Sequence, residues 1–273
     1  MFARLVAALL LGVSALVAVP APVTAATGPE LPEPRGAFPV GTRSLYLKDT
    51  TRPDPWKPDK DFRELMVTAW YPTPVPSGDR APYMSARLST AVVGKDVLRT
   101  VRTHSAADAA ALPWRSPLVV LSPGYGMTRR VMTELAEDLA ARGYVVAAVD
   151  HTYEAAVEFP DGRLEPCLEC SGPGDPAVVP SRVKDLRFVL DRLTDPATRL
   201  PIDSSRIAVV GHAIGGAAAV DLLSEDPRVD AAVNMDGTFL TPPPAEPVRR
   251  PVLLFGAQWP TEGGAPADNW AER

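Results

Sequence analysis

Histidine and cysteine are scarce in this 273-residue chain: His104, His151 and His212 are its only histidines, Cys167 and Cys170 its only cysteines. One Cys-x-x-Cys pair with no histidine close behind it cannot complete a four-ligand zinc site, so a structural zinc module is excluded. A basic surplus is missing too. With 28 Lys and Arg against 33 Asp and Glu the net charge is -5, which argues against nucleic acid or an anionic membrane surface as the main partner. No apolar run reaches the ~20 residues that cross a bilayer, so no stable transmembrane segment is expected. The Gly-x-Gly-x-x-Gly pattern of dinucleotide-binding turns is also absent.

What is present begins with an address. Arg4 precedes an apolar run from Leu5 to Val19, and Val23-Thr24-Ala25 supplies small residues. That order is a secretory signal peptide over 1-25, so secretion with cleavage near Ala25 is expected. In an exported chain Cys167 and Cys170 read as a local disulfide in a Gly- and Pro-rich loop. The 31 prolines cluster in the first 85 residues and around Pro242-Pro243-Pro244, where a missing backbone donor favours loops. Residues 26-60 are therefore expected as an extended N-terminal segment, and 61-273 as one α/β domain.

Arg63 to Pro72 reads as a strand stopped by Pro72 and Pro74. Leu88, Val92, Val93, Val97, Leu98 and Val101 recur near helical spacing, predicting an amphipathic helix over 86-101. Packing on the core is the plain reading of that stripe, and a lid is the alternative. From Pro117 onward strands alternate with helices. Strands are expected at Leu118-Leu121, Tyr144-Val149, Arg206-Val210, Asp230-Met235 and Pro251-Phe255. Helices are expected over 130-141, over 181-193 with Ser181 as its cap, and over 214-224. Strict alternation implies right-handed crossovers and a parallel sheet with helices on both faces. Sites in such sheets lie at the carboxyl ends of strands, where Tyr125, His151, Ala213 and Asp236 fall.

The stretch Gly211-His212-Ala213-Ile214-Gly215-Gly216 has the frame of a nucleophile elbow, in which glycines allow a strand to turn sharply into a helix. Gly211, Gly215 and Gly216 meet that steric demand, and the nucleophile position is Ala213. Backbone N-H groups of Ile214 and of Tyr125, in Ser122-Pro123-Gly124-Tyr125-Gly126, are candidates for an oxyanion hole; an ordinary Pro-Gly turn is the alternative for that loop. Asp236 is a candidate triad acid, favoured by its place at a strand's end over the alternative of an ordinary turn aspartate before Gly237. His151 is a candidate pocket residue. His212 is expected to point into the fold as a structural histidine, and Ser122 to serve the turn.

Trp70-Tyr71-Pro72, Ser122-Pro-Gly-Tyr-Gly126, Asp150-His151, Arg187-Phe-Val-Leu-Asp191, Arg206 to Gly216 and Asn234-Met-Asp-Gly237 together resemble the platelet-activating-factor acetylhydrolase-like branch of secreted α/β hydrolases, near the lipases and polyesterases. The resemblance covers about residue 40 to the end. It implies a three-layer α/β-hydrolase fold with a mostly parallel sheet, and carboxylic ester hydrolysis through a Ser-Asp-His triad with no cofactor and no metal. Its ligand would be a small ester or acyl lipid, with acetylated phospholipid, short triglyceride and polyester all compatible.

Two departures bear on activity. The family serine is Ala213, which offers only a methyl group. The family histidine lies beyond the last strand, whereas all three histidines here precede Asp236. The hydrolase domain is thus expected to lack the C-terminal strand and helix, leaving an uncovered sheet edge open to self-association. Three readings follow: an altered or fragmentary ester hydrolase, a pseudo-hydrolase that binds an acyl ligand or a protein, or a decayed product without a stable fold.

Overall fold

The alternation of apolar runs and turns folds into ten strands and four helices among the described residues of this computed structural model. These residues are 28-256, apart from 76-77, 172-175, 243 and 245. The expected signal peptide therefore lies outside the described residues, as does everything after Gly256. No helix among the described residues is long and apolar enough to cross a membrane.

In chain order the strands are β1 (Val40-Asp49), β2 (Arg63-Pro72), β3 (Ala106-Ala107), β4 (Ser116-Ser122), β5 (Val145-Asp150), β6 (Val157-Glu158), β7 (Leu164-Glu165), β8 (Ile202-His212), β9 (Ala231-Met235) and β10 (Val252-Phe255). The helices are α1 (Ala86-Val93), α2 (Thr133-Ala141), α3 (Val178-Thr194) and α4 (Ile214-Glu225). Eight strands form one sheet in the order β10-β9-β8-β4-β5-β2-β1-β3, and β6-β7 is a separate hairpin. The run from β10 to β5 is parallel, while β2 pairs antiparallel with both β5 and β1.

Strand side chains alternate between two helical layers, as the pleat requires. Leu118 and Val120 of β4 join the core that holds α3 and α4, whereas Val119 and Leu121 join the one beneath α2. Both faces of β4 are thus buried, which is why its sequence is continuously apolar. The α2 helix links β4 to β5 on one face, and α4 leads from β8 to β9 on the other. Neighbouring strands β4 and β8 therefore send their chains to opposite sides. A crevice opens at their carboxyl ends, the topological switch point where such sheets hold ligands.

Several expectations need correction. The segment expected as extended over 26-60 supplies β1, which pairs with β2 along ten residues, from Val40-Pro72 to Asp49-Arg63. The flanking prolines hid a strand whose burial alternates over Ser44-Lys48. The helix expected over 86-101 stops at Val93, because Gly94 takes φ 71° and closes its end; a short 3-10 turn, Asp96-Thr100, follows. Only the start of its apolar stripe enters the core: Leu88 is buried, whereas Val92, Val93 and Val97 are exposed. Ser181 is no cap. The α3 helix starts a turn earlier, at Val178, and the Ser181 hydroxyl is buried inside it without a partner. At the sheet's end Leu253 and Phe255 of β10 are 51% and 56% exposed.

Candidate active site

The strand β8 passes into α4 through one residue, Ala213, held at φ 49° and ψ -126°. Such a conformation is costly for any residue with a Cβ and persists only where the surroundings impose it. The surroundings here are glycines. A Cβ on Gly211 would stand 2.0 Å from Gly215 O, one on Gly215 2.2 Å from Ser122 O, and one on Gly216 2.1 Å from Asn234 Oδ1. The turn is fastened further by Ala213 N-H donating to Met235 O at 2.8 Å.

The three groups expected around the elbow meet there. The loop after β4 touches it directly, since Gly215 packs on the Ser122 and Pro123 carbonyls, and Gly124 faces the His212 ring. Gly126 donates to Glu154 O at 3.0 Å and Met127 to Gly124 O at 3.2 Å, with Tyr125 between them. Ile214 opens α4, where the first N-H groups of a helix have no intrahelical partner. Asp236 follows β9 with φ 60°, and the next residue, Gly237, would carry its Cβ 2.1 Å from Ala213 O. The Asp236 N-H is itself fastened to Phe255 O at 2.6 Å.

Asn234 makes that last juxtaposition possible, and sequence reasoning missed it. Fully buried, it accepts from Gly237 N-H at 2.7 Å and donates to Gly237 O at 2.8 Å. The same Oδ1 fills the space that Gly216 leaves open. Its signal in the sequence was an asparagine at an inward position of an otherwise apolar strand.

Two histidines exchange the places expected of them. His151 is 1% exposed; its Nε2 lies 3.0 Å from Ser122 Oγ and its Nδ1 2.9 Å from Asp185 Oδ2. Two buried polar partners outweigh exposure at the strand's end. His212, expected to point inward, lines a cleft beside the elbow instead, because the missing side chain of Gly124 makes room for its ring. Ser122, His151 and Asp185 thus repeat the order of a Ser-His-Asp relay, but wholly inside the protein, where an ester carbonyl has no approach.

The charges around this relay are matched. Burial works to raise the Asp185 carboxyl, yet Arg63 beside it and the bond from His151 hold it well below the ordinary range. Arg63 reaches Asp185 at 3.1 and 2.8 Å, and Arg52 at 2.5 Å. An ionised Asp185 only accepts, so Nδ1 of His151 carries the proton and Nε2 accepts from Ser122. Burial lowers the pKa of His151, and the neighbouring Arg182 lowers it again, against the pull of Asp185. The ligand atoms of His151, Glu154 and Asp185 lie within 4.8 Å of one another, a spacing that could suit a cation. Arg63 and Arg182 already neutralise those carboxylates, and their charge would repel a metal.

A cleft of about 800 Å³ runs from the elbow between α2 and the N-terminal residues Pro32-Arg35. Met127, Met132 and Met235, half of the chain's six methionines, line it with Val131 and Leu135. Methionine walls adapt to irregular apolar ligands. A smaller cleft of about 390 Å³ lies across the loop, between Gly126 and Cys167 and Cys170, which are joined with their Cα atoms 5.6 Å apart.

Two family models match the chain. One described as serine aminopeptidase, S33, matches residues 115-260; the other, platelet-activating factor acetylhydrolase, isoform II, matches residues 25-159. A probable 1-alkyl-2-acetylglycerophosphocholine esterase of Arthroderma benhamiae is 29% identical, over 76% of this chain and 58% of its own length. A cutinase (est2) of Thermobifida alba is 32% identical over 52% of this chain and 41% of its own. Among solved structures, a ferulic acid esterase from Streptomyces cinnamoneus is similar with a TM-score of 0.81 and 59% identity, over 84% of this chain and 68% of that one. The chain spans about half the length of the curated relatives it matches.

Two outcomes follow from this geometry. Replacing Ala213 by glycine releases a strained φ, so Ala213→Gly is expected to raise the unfolding free energy by about 1 kcal/mol. Urea titration checks this, and an unchanged or lower value contradicts the strain. The second concerns pH. Because the folded His151 pKa lies below 6.5, its contribution is complete above pH 6.5 and is lost as pH falls through the folded value. The urea midpoint of the native chain should decline as pH falls below 6.5, and His151→Gln should flatten the decline. A native midpoint that stays level there rules the linkage out.

Proposed function

The chain belongs to the α/β hydrolases, in their platelet-activating-factor acetylhydrolase-like, lipase- and esterase-related part, and on that premise we propose that it is an ester hydrolase scaffold without turnover. The observation that carries this is Ala213, a methyl group on a fully preserved elbow. Attack on an ester needs an oxygen there, and a neighbouring base to take its proton. In this reading Tyr125 and Ile214 supply the oxyanion N-H groups and Asp236 occupies the place of the triad acid. His104 is bonded to Leu31 O at 2.7 Å and His151 is bound on both ring nitrogens. The ring of His212 lies against Gly124.

A second reading has its own support. The cleft beside the elbow has an apolar part walled by methionine, Val131 and Leu135 next to the charged Glu33, Arg35, Glu134 and Asp138, and the apolar part suits a pseudo-hydrolase that retains a small ester or acyl lipid. The relatives' names point to three chemistries for such a ligand: an acetylated glycerophosphocholine, cutin and a ferulic acid ester. Secretion is part of the proposal and rests on the residue order from Arg4 to Ala25.

The purified 273-residue chain is expected to leave p-nitrophenyl butyrate unhydrolysed beyond the weak catalysis of ~10³-10⁴ over water that a broken triad retains. Ala213→Ser in the same chain is expected to stay at that level. Turnover by either protein at the rate of the ferulic acid esterase would sink the proposal, while saturable ester binding without turnover would favour the pseudo-hydrolase. We also infer self-association along β10, whose Leu253 and Phe255 are exposed. Sedimentation should show dimers that Leu253→Lys dissociates; a monomer at all concentrations would remove this inference.

A further inference from the structure

The inner side of the loop after β4 converges on one side chain. Arg182, in the first half of α3, is 1% exposed. Its Nη1 donates to Pro123 O and lies 3.5 Å from Ser122 Oγ, and its Nη2 lies 3.5 Å from Gly124 O. Its Nε donates to Glu154 Oε2 at 2.6 Å. Glu154 is buried as well; its other carboxylate oxygen lies 3.3 Å from Trp56 Nε1, and its backbone carbonyl takes the Gly126 N-H. Ser122, Pro123, Gly124 and Gly126 are thus gripped from beneath, while the Tyr125 hydroxyl donates to Glu169 O.

A buried arginine needs a carboxylate to offset its charge, and Glu154 satisfies that need through Nε alone. The remaining donors are spent on loop carbonyls. Gly124 C=O and Tyr125 N-H belong to one planar trans peptide, so they point in opposite directions. Gly124 O, which also takes the Met127 N-H at 3.2 Å, is held on the Arg182 side by Nη2, and the Tyr125 N-H therefore points the opposite way. We propose that Arg182, clamped by Glu154, is a positioning residue that pre-forms the oxyanion hole by fixing this peptide plane. The proposal rests on the reading that Tyr125 and Ile214 are the oxyanion donors. Donors aimed in advance bind an anionic oxygen without reorganisation, so a loop released from Arg182 keeps its cleft but loses its hold on negative charge.

The test compares two probes of one chain length, octanoate and 1-octanol, by calorimetric titration of the full chain. The native protein should bind octanoate the more tightly. Arg182→Gln should weaken octanoate at least tenfold and 1-octanol less than twofold, with partial recovery in Arg182→Lys, which keeps the charge and reaches one carbonyl. Arg187→Gln, on the exposed side of the same helix, should change neither. Equal loss of both probes would make Arg182 merely structural, and unchanged octanoate binding would dismiss it altogether. A native protein without preference for octanoate would overturn the oxyanion reading, and this proposal with it. Should Arg182→Gln fail to fold by circular dichroism, the octanoate-to-octanol ratio of Arg182→Lys decides between the same outcomes.

Discussion

Two opposite charges one turn apart on the buried side of α3, Arg182 and Asp185, organise much of this molecule. Their neighbours on that side are Val183, Leu186 and Leu190, so neither ion can be left unpaired without a penalty of several kcal/mol. Asp185 draws in Arg63 from β2, Arg52 from the turn after β1, and His151 from the end of β5. Arg182 draws in Glu154 and the loop after β4. Arg63 in turn holds Asp54 at 3.0 Å and Thr152 O at 2.7 Å. The loops after β1, β4 and β5 and the start of β2 therefore take their positions from one helix face. The candidate site sits directly above, so its geometry depends on charges that no ligand touches.

Much of the fold was legible because its determinants are local. Leu118-Leu121 and Val145-Val149 are continuous apolar runs, and strands buried on both faces have to be. The elbow was legible for a steric reason, since Gly211, Gly215 and Gly216 mark the points where backbones touch. What stayed hidden depends on partners far along the chain. β1 lies among prolines, and it is a strand because β2 offers it a full antiparallel register. Helix α1 ends early because of one left-handed glycine, which its apolar spacing does not reveal. The roles of His151 and His212 reversed because each ring follows its polar or empty surroundings, Ser122 and Asp185 for one and Gly124 for the other. Asn234 stood in a family-like stretch without a role of its own, yet it spaces the Asp236 turn against α4.

The elbow also separates scaffold from chemistry. Strain at a functional turn is usually explained by the reactive group it presents. Here the same strain is carried by a methyl group, and the neighbouring glycines still exclude every alternative. The backbone therefore preserves the shape of a reactive site independently of the atom that would react. Geometry of this kind belongs to the packing of β4, β8 and β9, and a change at residue 213 leaves it intact.

The wall of the large cleft has a further consequence. Pro32-Arg35 come from the start of the described chain, tied down by Leu31 N-H to Arg102 O at 3.0 Å and Phe38 N-H to Ala141 O at 2.9 Å. Arg35 N-H adds a bond to Asp138 at 2.8 Å. The stretch that walls the cleft is thus pinned on both flanks, to Arg102 before it and to Ala141 after it. One side of the cleft is therefore a strap held by three backbone N-H donors, with no helix or strand of its own over 32-35.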